Sequence, residues 1–133
     1  MTQKTMAIHY SFTLFHVFFY FLIMSTLAWP HMPHAVVDIR NDLPNNTAEQ
    51  LTLRCGEDSS FNLKLGDHHN RTLTMDQDLE CTAVWSRWFT TWNAYEAKRY
   101  QGQDTVFWLV RKDGFYRSWD GSKWKRVGYW YTD

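Results

Sequence analysis

The chain has 133 residues, 14 of them basic and 14 acidic, so its length suits one domain and its formal net charge is zero. This balance argues against general nucleic-acid binding, which needs a strong positive field. The charge is unevenly spread, with a net −5 over residues 36–80 and a net +5 over residues 98–126. Such polarity either orients a partner or belongs to a solvated mixed surface.

Residues 1–28 are predicted to form a secretory signal peptide. Lys4 is the only charged residue before Asp38, and an apolar run, FTLFHVFFYFLIMSTLA, ends at Ala28. A basic start, an apolar core and a small residue at the end are typical of such a segment, with cleavage after Ala28. Cleavage after Ala35 is one alternative, and an uncleaved signal anchor is another, although the run is short for a hydrocarbon layer of about 30 Å.

The expected product is a secreted, extracellular domain over residues 36–133, with no stable membrane insertion after cleavage. The chain that follows Ala28 holds all 14 acidic residues and 13 of the 14 basic residues, a formal net charge of −1. We expect this domain to be a monomer that needs no cofactor and binds no nucleic acid.

The chain has two cysteines, Cys55 and Cys81, and both follow the signal segment. In an oxidising secretory route, such a pair most simply forms one disulfide. Closing a loop of about 27 residues would stabilise the fold by roughly 3–4 kcal/mol. Two free buried thiols are the alternative, and no metal site is predicted because two cysteines without nearby histidines are half a zinc site.

Two Asn-x-Ser/Thr sequons follow the signal segment and predict N-linked glycans at Asn45 and Asn70. Both asparagines lie among polar, turn-forming residues, where a glycan would remain in water. The second sequon overlaps the stretch DHHN at residues 67–70, which we interpret as an exposed polar turn rather than as part of a metal site. Adjacent histidines on a strand would point to opposite faces, and further ligands are not apparent.

The mature part of the sequence has a period of two, which indicates β-strands. The segments AVVDIRN, QLTLRC, SFNLKL, RTLTM and ECTAVWSRWF alternate apolar and polar residues, and turn-forming residues separate them. Short strands at such spacing favour an all-β antiparallel sandwich or barrel. The segment WNAYEAKRY fits either a strand or a helical turn. Trp85 and Trp88 are three residues apart, so on one regular strand they would face opposite surfaces.

The stretch WLVRKDGFYRSWDG, residues 108–121, predicts a hairpin with a two-residue turn at Asp113-Gly114. That register places Trp108 opposite Trp119 and Val110 opposite Arg117. The returning strand SKWKRVGYW would complete a three-stranded meander.

The tryptophans of this stretch are interpreted mainly as sheet-packing residues, and the charged turn is the candidate contact surface. The predicted partner contacts are Arg111, Lys112, Asp113 and Arg117. No set of catalytic residues can be identified elsewhere in the sequence, which has no nucleophile elbow and no phosphate-binding glycine loop. The acidic residues from Asp76 to Glu80 fit a solvated loop. We therefore expect a protein that is not an enzyme.

The sequence resembles the plant self-incompatibility S1 family, the S-protein homologues. The resemblance rests on the order of a signal segment followed by VVDIRNDL, LTLRC, CTAVW and WLVRKDGFYRSWDGSKW. The resemblance extends over residues 36–130. It implies a small two-sheet antiparallel β-sandwich with one disulfide, since Cys55 and Cys81 match the family's first cysteine pair. The chain lacks the further C-terminal pair that many members carry, and it keeps only Glu57 and Asp58 of the acidic run after the first cysteine.

The resemblance also implies a function. Founding members of the family are stigma proteins of poppy that act as ligands of a pollen receptor in the rejection of self pollen. We therefore expect a secreted, non-enzymatic signalling ligand that a cell-surface receptor protein recognises, in pollen rejection, development or defence. The alternative is a secreted carbohydrate-binding or cell-wall-associated module that uses exposed tryptophan or tyrosine side chains. A small secreted hydrolase is the third and weakest hypothesis.

Overall fold

The computed structural model describes residues 13–21, 33–45, 49–100 and 102–132. Residues 13–21 form a short helix, and within the described ranges no helix is long and apolar enough to cross a membrane. The predicted cleavage point after Ala28 lies outside the described residues, so the signal peptide remains a prediction. Ala35, the alternative cleavage point, is a buried residue of the first strand.

Residues 33–132, apart from the gaps given above, contain the strands of the fold. The strands are β1 (His34–Asn41), β2 (Leu51–Cys55), β3 (Phe61–Leu63), β4 (His68–Thr74), β5 (Leu79–Trp85), β6 (Trp88–Tyr95), β7 (Thr105–Arg111), β8 (Gly114–Ser118) and β9 (Lys125–Gly128). The segment WNAYEAKRY, which fits either a strand or a helical turn, contains both. The strand β6 ends at Tyr95, and the amide of Tyr100 then donates to the carbonyl of Glu96 in a helical turn.

The strands form two sheets, and the predicted all-β class with two sheets and one disulfide is confirmed. One sheet has the order β4-β1-β7-β8-β9, and the other has the order β3-β2-β5-β6. Neighbouring strands are antiparallel except for β1 and β7, which are parallel. Parallel neighbours need a long crossover connection. Here the connection between β1 and β7 includes every strand of the second sheet as well as β4.

The hydrophobic core lies between the sheets, because alternate residues of β1, β2 and β5 point inward. The predicted inward faces of β2 and β5 are confirmed, as their odd-numbered residues are buried. The indole N–H of Trp108 donates to the carbonyl of Ala94 in the other sheet at 3.0 Å. Cys55 and Cys81 lie directly opposite each other on β2 and β5 and form the predicted disulfide.

The hairpin between β7 and β8 turns one residue earlier than the sequence predicted. Its turn consists of Lys112 and Asp113. The predicted register would place the charged Arg117 opposite Val110, which is fully buried, whereas the observed register pairs Val110 with the buried Phe115. The Asp-Gly turn was therefore the wrong prediction, because keeping two apolar side chains in the core outweighs a local turn preference. The three-stranded meander β7-β8-β9 is confirmed.

Two further local predictions are wrong. The chain reverses direction between Trp85 and Trp88, and a strand begins at His68, where a turn is predicted. Trp85 and Trp88 do not lie on one strand, since a turn of two residues separates them and they face each other across the β5–β6 hairpin. The stretch from His68 to Asn70 is not a turn. It begins β4, because its backbone pairs with β1 and the His68 ring meets Asp38 at 3.0 Å.

Candidate functional site

The turn between β7 and β8 brings together three of the four predicted contact residues: Arg111, Lys112 and Asp113. Arg111 forms the base of this turn. Its Nε donates to Oδ2 of Asp42 at 2.7 Å, and its guanidinium lies 5.0 Å from the ring centre of Tyr116. The hydrogen bond to Asp42 raises the pKa of Arg111 further above its ordinary value. Arg111 is therefore a fixed structural cation.

Asp113 is held by the strand that follows the turn. Its Oδ2 accepts a hydrogen bond from the Tyr116 hydroxyl at 2.6 Å and lies 3.7 Å from Nη1 of Arg126. The Tyr116 hydrogen bond is the main cause that lowers the pKa of Asp113, and the same bond raises the pKa of Tyr116. The carboxylate is thus charged at neutral pH and tied to its own hairpin.

Lys112 is exposed at the tip of the turn and, unlike its two neighbours, has no ion-pair partner among the described residues. A shallow depression of about 500 Å³ lies beside it and is lined by Asp42, Pro44 and the three turn residues. Because Arg111 and Asp113 are already paired, Lys112 is the charge in this turn that is available to a partner.

Arg117, the fourth predicted contact, lies elsewhere. It pairs with Trp108 on the face of the sheet that looks toward the second sheet, whereas the predicted register placed it opposite Val110. Its guanidinium lies 4.5 Å from the ring centre of Trp119 and 5.4 Å from that of Tyr100, and Nη1 donates to the Tyr100 hydroxyl at 3.3 Å. The structure thus divides the predicted contact set between two places.

Arg117 lines a cleft of about 290 Å³ between the strand edges β6 and β9, which we call the β6–β9 cleft. Sequence reasoning did not find this cleft. Its walls include Trp92, Glu96, Arg99, Tyr100, Arg117 and Lys125. The three cations all come from the positive segment 98–126, so the charge distribution was the signal that could have indicated it.

The predicted glycosylation sites are both accessible. Asn45 is exposed in the turn after β1, and Asn70 is exposed on β4, at the edge of its sheet. Residues 46 and 47 of the first sequon lie outside the described part of the chain. Glycan attachment at both asparagines remains a prediction.

The described residues contain no cluster of three or more His, Cys, Asp and Glu side chains that could hold a metal ion. The two adjacent histidines point to opposite faces of β4, as their period requires: His68 pairs with Asp38, and His69 packs against Phe61 with 4.3 Å between ring centres. Each histidine side chain therefore packs against its own neighbour, and the two rings do not lie together in one site.

Comparison with known proteins gives a structural likeness. Neither a scan against protein-family models nor a search of curated protein sequences finds a match for this chain. Among solved structures, the chain is similar to a self-incompatibility protein homologue, from a group described as a widespread family of small, highly stable, secreted proteins from plants. The TM-score is 0.62 and the sequence identity is 14%, over 77% of this chain and 98% of that chain. The likeness shows the fold.

Proposed function

We propose that this chain is a secreted, non-enzymatic signalling ligand of the self-incompatibility-homologue type, recognised as a monomer by a cell-surface receptor protein. The observation that carries the proposal is the structural likeness, which extends over nearly the whole of a secreted plant protein. The order of motifs in the sequence supports the same relationship. The disulfide between β2 and β5 is consistent with an oxidising, extracellular setting.

The β7–β8 turn is the surface that we propose for receptor contact. Binding residues commonly lie on loops that a rigid scaffold positions, and this turn is fixed to the sheet by the Arg111–Asp42 and Tyr116–Asp113 hydrogen bonds. Lys112 projects from that fixed base. A partner with an acidic patch would therefore meet a positive charge on a preorganised turn, whose backbone need not be ordered on binding.

The test measures binding of fluorescently labelled protein to intact plant cells from several tissues. We expect saturable binding to one of them, and Lys112→Glu should lower the association rate by about tenfold because it reverses a rim charge. Lys98→Glu is the matched control: it makes the same charge change at an exposed position before β7, whereas the turn follows β7. Equal binding of wild type and Lys112→Glu would remove the turn as the contact surface.

A second candidate function, carbohydrate binding, is favoured by a pair of exposed aromatic side chains. The backbone of Phe89 on β6 exchanges two hydrogen bonds of 2.9 Å with that of Tyr131, so the two residues are neighbours, with 43% and 59% of their surfaces exposed. Exposed aromatic rings can stack on sugar rings. A glycan array without hits, together with tryptophan fluorescence unchanged by neutral wall polysaccharides, would exclude this function.

A further inference from the structure

The β6–β9 cleft contains two like charges that face each other. Arg117 on β8 and Lys125 on β9 are direct cross-strand partners, so their side chains leave the sheet on the same face, and both line the cleft. Like charges directly opposite each other on antiparallel strands are destabilising. Among the described residues, neither cation forms an ion pair with a carboxylate. An anion placed between them would remove this repulsion.

A third cation reaches the same cleft from the connection between β6 and β7. Arg99 lines the cleft and is paired with Glu96, whose Oε2 lies 3.3 Å from its Nε. The cleft lining therefore carries three positive charges and one negative charge. An anionic ligand is the complement of this site.

Aromatic side chains hold the central cation in place. The rings of Tyr100 and Trp119 are themselves in contact, with 5.0 Å between centres, and the Arg117 guanidinium lies over both. One N–H of Nη1 donates to the Tyr100 hydroxyl, and the remaining N–H groups of the planar guanidinium are the donors that can pair with the oxygens of a carboxylate. The arrangement favours a carboxylate over a ligand without a planar anionic group.

The remaining lining suits a sugar ring. Half-buried Trp92 and polar Asn93 border the cleft, and an aromatic side chain can pack against the apolar face of a sugar ring. The volume of about 290 Å³ is at the lower limit for small-molecule sites and exceeds what a single carboxylate fills.

We propose that the β6–β9 cleft binds an acidic saccharide, with the carboxylate of one uronic acid residue between Arg117 and Lys125 and its sugar ring against the aromatic lining of the cleft. This inference goes beyond the proposed receptor function and does not depend on it, because the cleft shares no residue with the β7–β8 turn. It also differs from the exposed aromatic pair in its place and in the charge of its ligand.

Calorimetric titration of the folded protein with a trimer of galacturonic acid tests the proposal. We expect measurable binding that weakens with added salt, as an ionic contact requires. The methyl-esterified trimer has the same rings without negative charge, and we expect it to bind at least tenfold more weakly. Lys125→Gln, an exposed position that should leave folding intact, should weaken binding of the acidic trimer at least fivefold, and Arg117→Gln should weaken it at least tenfold.

Lys112→Gln is the matched control, since it removes the same charge outside the cleft and should leave affinity for the acidic trimer unchanged. Failure of the acidic trimer to bind, or equal binding of the esterified trimer, would overturn the proposal. Equal binding of triglutamate would also overturn it, because the cleft would then be a general or peptide site for carboxylates. If Arg117→Gln fails to fold, Lys125→Gln decides the result.

Discussion

Gly114 shows how one residue fixes the geometry of the candidate contact turn. Its φ angle is 142°, in a region that side chains rarely adopt, and an added Cβ would lie 2.3 Å from the carbonyl oxygen of Gly128 on the neighbouring strand. A clash with backbone cannot be relieved by a change of rotamer. The Asp-Gly pair in the sequence therefore marks a real constraint, although the constraint lies at the start of β8 and not in the turn itself.

We expect Gly114→Ala to lower the free energy of unfolding by at least about 2 kcal/mol, since backbone strain and a steric clash both act against it. Gly66→Ala is the control. Gly66 also has a positive φ, 81°, but no atom lies within 4 Å of the added Cβ, so the loss should be about 1 kcal/mol. Urea unfolding measures both variants, and equal losses would show that contact with β9 is unimportant.

His69 predicts a pH dependence of stability. Burial is the main cause that lowers the pKa of His69 from its usual 6.5, and the nearby charge of Asp38 opposes this shift only in part. The unfolded chain therefore binds more protons than the folded chain as the pH falls through 6.5, so this contribution to stability is complete above that value and is lost below it.

Wild type should accordingly lose more stability than His69→Gln when the pH falls from about 7 to about 5. Urea unfolding at each pH gives the comparison, and parallel curves for the two proteins would contradict it. Which of the two histidines is the less exposed was not predictable from the sequence. Both histidines were expected in a turn, and the pairing of β4 with β1 decides which one faces the other sheet.

At the scale of elements, the disulfide joins two strands that are already hydrogen-bonded neighbours. Its effect therefore lies in the unfolded chain, where it closes a loop with a sequence separation of 26 residues. Replacing Cys55 and Cys81 together by Ala should lower the free energy of unfolding by about 3–4 kcal/mol. Guanidinium unfolding of the oxidised wild type and the double variant measures this difference, and a loss below about 1 kcal/mol would refute the assigned role.

The β5–β6 hairpin contains a residue that its turn does not favour. Ser86 has a φ of 58°, and it is the residue other than glycine with a positive φ in the described part of the chain. We expect Ser86→Gly to raise the free energy of unfolding by about 0.5–1 kcal/mol, because glycine adopts this conformation without steric cost. Arg87→Gly, at the next turn position, should lower stability instead. A decrease with Ser86→Gly would contradict this interpretation of the turn.

The strands themselves were largely predictable, whereas their pairing was predictable only in the order of the β7-β8-β9 meander. Alternation in LTLRC and ECTAVW gave the buried faces correctly, because a period of two follows directly from strand geometry. The hairpin at Trp85–Trp88 carries no Asn-Gly or Asp-Gly signal and was missed. In the β7–β8 hairpin such a signal was present, but it misplaced the turn by one residue and the strand pairing by two, since packing of Val110 on Phe115 decided the register.

At the scale of the whole molecule, basic residues are concentrated on one side of the larger sheet. The strands β7, β8 and β9 carry four basic residues and no acidic one, whereas β1 and β4 carry one acidic and two basic residues, so most acidic residues of the negative segment lie outside this sheet. The parallel pairing of β1 with β7 joins the β4-β1 pair to the β7-β8-β9 meander, and no local sequence pattern predicts this pairing. The positive segment indicates where the cations of the β6–β9 cleft come from, but not the cleft itself, because these cations meet only after strand register and sheet packing are set.

The central claim about this protein is that its fold operates outside the cell with the disulfide formed. Expression of the full chain in plant cells, followed by intact-mass and N-terminal analysis of the protein in the medium, tests that claim directly. We predict a protein in the medium that begins at Trp29, carries no free thiol and loses mass after enzymatic removal of N-linked glycans. Full-length protein retained in membranes, with Cys55 and Cys81 both reduced, would contradict the account.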